Sequence, residues 1–459
     1  ALSRLGYPYE LEWMEGGAVD HVRRVIAGQP LYIRPSLVFT PFIYTPLYYY
    51  VSALLFRFMG VSLFGLRLIS FLSSVGCLIV LYQFVRRETK EAVMGVLTAS
   101  LFAATYVIGG TWFDLARTDM LSLFLLLAGI YILRFSDGMI PMIWAGVLVS
   151  LSFFTKQTAL MVAIPLMLYC LLLKKRICRY IFPGTIIVLI GGVSLIWNYF
   201  SDGWFAYYIF DLPGQHIVHW DMLPSILVDD MGQYLPVATF VSLYFILLQL
   251  LKRRYADFLF FGLLFGGLFG AACFSRMHSG GYINVLIPGF AVLSIYFGLG
   301  IHAFLGQLRS KGMTSHPGLL RGIAASVLLL LCIWQFWHLR YEPRDFIPTG
   351  EDIKAGDNFI HLMGEIEGEV FIPYHGYLST MAGKETFSQG MAMEDVFRGN
   401  NEEIRDAYKA EIRHAIQEKR FGAIILDDDW RFKYEIGENY KLAWTIEPGD
   451  SMHTFTGMI

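Results

Sequence analysis

The sequence predicts an all-α polytopic membrane protein of about ten transmembrane helices, with a small extracytoplasmic α/β domain at its C-terminal end. Three observations carry that reading. Of 459 residues, 55% are hydrophobic and only 16% charged, where soluble domains carry about 25% charged residues. Apolar runs near the length of a bilayer crossing recur from residue 62 to residue 338. The basic residues between those runs fall in alternate loops, as membrane insertion requires.

Composition also narrows the function classes. The net charge is -2 with no broad basic face, so nucleic acid is not an expected partner. Cys77, Cys170, Cys178, Cys273 and Cys332 stand singly in or beside apolar runs without CxxC spacing. They read as buried thiols rather than disulfides or metal ligands. The chain opens at Ala1 on polar sequence, which leaves room for an upstream helix or signal.

Residues 1–61 read as an outer loop with interfacial helices and an acidic motif. Within it, 47–59 (LYYYVSALLFRFM) is bounded by Pro46 and Gly60 and is short for a crossing. It suits a helix lying in the interface, with Tyr48, Tyr49 and Tyr50 as an aromatic belt. Residues 62–338 form the transmembrane region, because a spanning helix needs about 20 mostly apolar residues to satisfy its backbone within lipid. The expected spans are 62–85, 92–110, 118–134, 139–154, 158–173, 180–199, 231–251, 257–274, 282–304 and 319–338.

Residues 339–459 differ: charge rises and long apolar runs stop. EVFIPYH (369–375) and GAIILDDD (422–429) read as buried strands. The segment 401–419 reads as an amphipathic helix with Ile404, Ala407, Tyr408, Ile412 and Ile416 near helical spacing. No internal repeat is visible.

Orientation follows from Lys and Arg. One set of loops holds Arg86, Arg87, Lys90, Arg134, Lys174, Lys175, Arg176, Arg179, Lys252, Arg253, Arg254, Arg309, Lys311 and Arg321. The alternate set holds only Arg117, Lys156 and Arg276. Fourteen against three makes the first set cytoplasmic and puts both chain ends outside.

The cytoplasmic loops carry no glycine-rich phosphate cradle and no carboxylate cluster, so chemistry on a soluble nucleotide has no seat there. The outer side is different. It gathers Glu10, Glu12, Glu15 and Asp20, then Asp114, Arg117 and Asp119, then Lys156, then Asp211, His216, His219, Asp221, Asp229 and Asp230, then Arg276, His278 and Tyr282. Ionisable groups at membrane depth are costly and usually functional. Acids and cations sharing that side suit a reaction between an anionic lipid-borne group and a nucleophile that needs a base.

The order of motifs resembles that of the polytopic GT-C glycosyltransferases, in the branch of protein O-mannosyltransferases and aminoarabinose lipid A transferases. The acidic outer loop corresponds to ELEWMEGGAVDHVRRVIAGQPLY, from Glu10 to Tyr32. A Pro-Leu-Tyr-Tyr run leading to Gly-x-Ser-x-x-x-x-Arg matches TPLYYYVSALLFRFMGVSLFGLRL. The carboxylate at the head of a span matches Thr118-Asp119-Met120, and the family's lysine element matches Phe154-Thr155-Lys156-Gln157. A late Tyr-to-Pro element matches Tyr282 to Pro288, so the resemblance runs over about residues 7–300. Two departures stand out. The lipid A branch carries a lysine where this chain has Tyr44-Thr45-Pro46, which removes one donor-phosphate cation. The first acidic motif uses Glu in place of an Asp-Glu pair, which leaves Glu10, Glu12 and Glu15 all open as the base.

The resemblance implies an inverting glycosyltransferase of the plasma (inner) membrane, with its active site and C-terminal domain extracytoplasmic. Its donor would be a polyprenyl-phosphate-linked sugar among membrane lipids, and its acceptor a hydroxyl of a glycan, lipid or protein. Glu12, preferred over Glu10 and Glu15, would be the base, with Asp119 orienting the acceptor. Lys156, Arg276, His278 and Tyr282 would hold the donor phosphate. Each has a plain alternative: a solvated loop acid for Glu12, a helix-start acid for Asp119, a snorkelling lysine for Lys156. Asp114 and Arg117 stand three apart and could pair on one turn, serving acceptor or structure. His216 and His219 are weak candidates for a divalent metal ion. A transporter or flippase of a lipid-linked substrate, and a scaffold displaying an outer domain, are the alternatives from other classes. The absence of inverted repeats and midplane charges argues against transport.

Overall fold

The structure, a computed structural model, describes residues 1–309, 317–427, 430–446 and 454–457. Lys311 and the end of the expected strand 422–429 lie outside the described residues.

The chain is a mostly helical, multi-pass membrane fold. The first helix, α1 (Glu15–Ile26), follows the extended residues 10–12. Helix α2 (Leu47–Met59) stops at Gly60, whose φ of 74° is open to glycine at little cost. Tyr48 and Tyr49 face inward and are buried, and Tyr50 is exposed. Two of the three tyrosines expected as an interfacial belt therefore belong to the protein core.

Helix α3 (Leu63–Thr89) starts behind Ser62 and ends at Lys90 in the left-handed region. Four shorter helices follow: α4 (Ala92–Ala104), α5 (Asp119–Phe135), α6 (Met139–Thr155) and α7 (Leu160–Leu173). Next come α8 (Cys178–Phe200), with a π-helical stretch at Ile187–Gly191, then α9 (Pro236–Leu251) and α10 (Tyr255–Met277). Helices α11 (Ile287–Arg309) and α12 (Pro317–His338) complete the set.

Among the described residues five helical stretches are long and apolar enough to cross a bilayer, or six if the bent pair Trp220–Gly232 and Pro236–Leu251, broken by 107°, is one span. That is fewer than the ten expected from apolar runs. The expected span 92–110 shows why. Its helix ends at Ala104, the chain turns through residues 105–111, and Thr111 takes a φ of 55°. A 13-residue helix rises only about 20 Å, against the ~30 Å of a hydrocarbon core.

Helix α5 packs between α3 and α6, α7 against α10, and α11 against α4, α9 and α10. The apolar window of the span Ile283–Arg309 is 83% buried and that of Leu319–His338 only 11%. The first is the centre of the bundle. The second presents Leu329, Leu330, Ile333 and Trp337 outward, a surface that suits lipid.

Beyond residue 339 the expected strands contract to β1 (Glu369–Phe371) and β2 (Phe421–Ile424), paired in parallel. Helices α13 (Gly350–Glu365), α14 (Gly390–Arg398) and α15 (Glu402–Gln417) accompany them. Thr349 caps α13 in a reciprocal capping box with Asp352. Tyr408, Ile412 and Ile416 of α15 are buried and Ile404 half-buried, as their spacing predicts, whereas Ala407 is exposed.

Candidate active site

The three glutamates of the first acidic motif sit in three different environments. Glu15, fully buried at the start of α1, accepts from Arg67 Nη2 at 2.6 Å and Nε at 3.0 Å. It also accepts from the backbone N–H groups of Leu11 and Ala116, each at 2.7 Å. Burial pushes its carboxyl up, but Arg67 and the two amides prevail and hold it below the usual range. Four donors saturate this anion, which ties α1, α3 and the loop before α5 together.

Glu10 is equally buried. Its Oε1 accepts from the Gly16 amide at 2.9 Å, and its Oε2 meets Nδ1 of His375. A Cβ on Gly16 would stand 2.0 Å from Glu10 Oε1, so only glycine fits there. His375 Nε2 lies 3.6 Å from Asp427, which is half exposed. Burial lowers the His375 imidazolium, but Glu10 more than offsets that and brings it to about 9.

Glu12 is different. Its Oε2 lies 3.4 Å from Arg117 Nη1, and its Oε1 accepts no hydrogen bond among the described residues. Burial pushes its carboxyl up to about 8, with Arg117 and the Met14 amide opposing and Glu15 and Glu10 assisting. Part of that burial comes from residues 454–457. The amides of Phe455 and Thr456 donate to Leu11 O at 2.9 and 3.2 Å, and Thr456 Oγ1 donates to Gly110 O at 2.7 Å. A poorly partnered, buried carboxyl with a raised proton affinity is what a general base requires.

Asp119, the first residue of α5, receives Lys156 Nζ at 2.7 Å and Asn284 Nδ2 at 3.0 Å on Oδ1. Its Oδ2 receives Trp112 Nε1 at 3.2 Å. Lys156 stands between α6 and α7, where its extended φ of -153° ends one helix before the next begins. The two residues head a narrow cleft whose other walls include Leu123, Leu126, Val162 and Ile287. An ion pair over apolar walls can hold an anionic head group whose chain runs down between helices.

Arg117 stands between Glu12 and Tyr44, whose ring centroid is also 5.9 Å from Lys156 Nζ at the head of the cleft. Its Nη2 donates to Tyr44 Oη at 3.1 Å, and its guanidinium lies 5.5 Å from the Tyr44 ring and 5.6 Å from the Trp112 ring. With Tyr44, Tyr48, Tyr49 and Phe42 it lines a second, smaller space.

Other candidates lie elsewhere. Asp114 does not pair with Arg117; it takes Arg4 through Nε and Nη2 at 3.0 and 3.1 Å and Tyr106 Oη at 2.9 Å, a buried structural cluster. Arg276 is held by Asp230 at 2.9 Å and Gly281 O at 2.8 Å and does not line the cleft, although its neighbour Ser275 does. His278 is tied to the carbonyls of Pro213 and Ser279. Tyr282 packs on Trp112 with centroids 5.7 Å apart. His216 Nε2 meets Asp395 O at 2.9 Å and His219 Nε2 meets Ser279 Oγ at 3.2 Å, so the pair does not converge. Among the described residues no group of three His, Cys, Asp or Glu is placed to hold a metal ion.

Sequence reasoning missed Asn284, Arg67 and His375. Arg67 is the arginine of the Gly-x-Ser-x-x-x-x-Arg element and Asn284 lies within the Tyr282-to-Pro288 element, so two of the three carried a signal. His375 carried none.

Comparison with known proteins agrees with this architecture. The sequence profile of the dolichyl-phosphate-mannose-protein mannosyltransferases matches residues 43–197. No curated protein sequence matches the chain. Among solved structures, ArnT from Cupriavidus metallidurans bound to undecaprenyl phosphate superposes with a TM-score of 0.59 at 12% identity, covering 91% of this chain and 88% of that one. The archaeal oligosaccharyltransferase AglB from Archaeoglobus fulgidus, in complex with an inhibitory peptide and a dolichol-phosphate, gives 0.55 at 12% identity, covering 90% and 66%. The fold is that of the GT-C glycosyltransferases.

Proposed function

We propose that this chain of GT-C fold is an inverting glycosyltransferase that moves a sugar from a polyprenyl-phosphate carrier to a hydroxyl acceptor on the extracytoplasmic face. The observation that carries the reading is the Lys156–Asp119 pair heading an apolar-walled cleft, with Glu12 linked toward it through Arg117 and Tyr44. The undecaprenyl phosphate and dolichol-phosphate of the two structural neighbours support a lipid-linked donor. The fourteen-to-three division of basic residues supports the sidedness. In this reading α4 to α7 also cross the bilayer, α4 together with the turn 105–111 that continues it, giving about ten crossings, and residues 339–459 form a small outer α/β domain.

The acceptor hydroxyl, reaching Glu12 past residues 454–457, gives its proton to Glu12 while its oxygen attacks the anomeric carbon. The bond from that carbon to phosphate breaks, and the polyprenyl phosphate leaves with the electron pair. Attack opposite the leaving group inverts the anomeric centre. Lys156 meets the charge that develops on the phosphate. Asp119, already filled by Lys156, Asn284 and Trp112, positions that lysine rather than the acceptor. Glu15 is too fully partnered to be the base.

Purified protein supplied with radiolabelled polyprenyl-phosphate sugar and hydroxyl acceptors tests this. Label should move to the acceptor with inverted configuration. Exchange of the intact lipid across vesicles without transfer would replace the proposal with a flippase, and full activity of Lys156→Ala would refute the site.

A further inference from the structure

Lys156 alone is a poor holder for a phosphate monoester, because Asp119 at 2.7 Å already answers its charge. A leaving group that ends with close to two negative charges needs a further cation. In the fold Tyr44 accepts from Arg117 Nη2 at 3.1 Å. Its ring centroid is 5.5 Å from the Arg117 guanidinium carbon and 5.9 Å from Lys156 Nζ. One ring therefore gathers both cations.

Arg117 is also the least committed arginine nearby. Arg67 grips Glu15 through two contacts of 2.6 and 3.0 Å, and Arg4 grips Asp114 at 3.0 and 3.1 Å. Arg276 is held by Asp230 and a carbonyl. Arg117 has single contacts of 3.4 Å to Glu12 and 3.1 Å to Tyr44. Its planar fork, not yet used in any paired contact, suits phosphate.

We propose that Arg117, steadied by Tyr44, is the second ligand of the donor phosphate. The inference rests on the glycosyl-transfer reading. It makes one side chain touch both the leaving group and the base, so the phosphate is held within reach of Glu12.

Binding of polyprenyl phosphate without sugar tests it, read by displacement of a radiolabelled copy from purified protein whose melting matches wild type. Arg117→Gln should weaken binding about 10- to 100-fold, the worth of a charged hydrogen bond, and Arg117→Lys less. Tyr44→Lys added to Arg117→Gln should restore most of the affinity, which a merely structural arginine would not allow. If Arg117→Gln fails to fold, Arg117→Lys and Tyr44→Phe take its place, each expected to weaken binding several-fold. Wild-type affinity in the Arg117 variants, with affinity lost in Lys156→Gln, overturns this inference and leaves the donor site standing. Wild-type affinity in Lys156→Gln as well overturns the donor site itself.

Discussion

Lys156, in the break between α6 and α7, and Asp119, at the start of α5 and 37 residues away, meet at 2.7 Å at the mouth of the apolar cleft. Asn284 and Trp112 complete the shell of Asp119, so the carboxylate is a fixed post and the ammonium is the part that faces a ligand. Lys156→Ala should lower kcat/KM about 100- to 1000-fold, the range for losing a preorganised charge at a leaving group. Asp119→Asn keeps the shape but loosens the lysine, so it should cost less than Lys156→Ala. Initial rates with labelled donor decide the order, and an Asp119→Asn loss larger than that of Lys156→Ala would return Asp119 to direct contact with substrate.

The pH profile tests Glu12. Arg117 faces it with Glu15 and Glu10 nearby, and burial brings its carboxyl to about 8. A base must be unprotonated to act, so at pH 7 about one molecule in ten is ready. In the free enzyme kcat/KM should therefore rise with pH and level off above about 8. Glu12→Gln should flatten the profile and lower the rate about 100- to 10,000-fold. A rising limb that survives in Glu12→Gln would hand the role to another group.

Legibility in the sequence divides by kind of residue. Asp119 and Lys156 were legible because a charge at the end of an apolar run is conspicuous. The choice among Glu10, Glu12 and Glu15 was not, since three glutamates within six residues look alike until Arg67, Ala116 and His375 arrive from far along the chain. Arg276 looked like a phosphate ligand because Asp230, 46 residues away, leaves no local trace. Helix ends were blurred for a related reason: hydropathy continues past Ala104, and the turn at 105–111 is set by packing rather than polarity. The order of motifs gave away the fold despite these gaps.

The Glu15–Arg67 pair should behave as a structural element. Both groups are fully buried, and removing one partner leaves an unanswered charge that costs about 3–5 kcal/mol. Glu15→Gln should therefore melt well below wild type in detergent, beyond any change in kcat for the folded fraction. The sign with pH follows from a folded carboxyl below its ordinary 4.5. Its contribution is present above that value and fades as pH falls through the lower folded value. Wild type and Glu15→Gln should converge in melting temperature on acidification, and a gap that persists at low pH would contradict the pairing.

His375 fastens the region after residue 339 to the acidic motif, and its pH dependence runs the other way. Glu10 brings its imidazolium to about 9 from an ordinary 6.5. A group raised on folding contributes fully below 6.5 and loses that contribution as pH rises through 9. Limited proteolysis of wild type should therefore cut the 339–459 region slowly at pH 6 and faster at pH 9.5. His375→Gln keeps a hydrogen bond to Glu10 but no charge, so it should be cut quickly at both. Because His375 reaches Glu10 rather than Glu12, folded His375→Gln should keep the alkaline rise of kcat/KM. Equal cutting of wild type and variant at pH 6 would show that the histidine carries no part of the attachment, leaving it to contacts such as Tyr408 to Thr40 at 2.7 Å, Glu411 to the Leu37 amide at 3.0 Å and Thr386 to Asp20 at 3.2 Å.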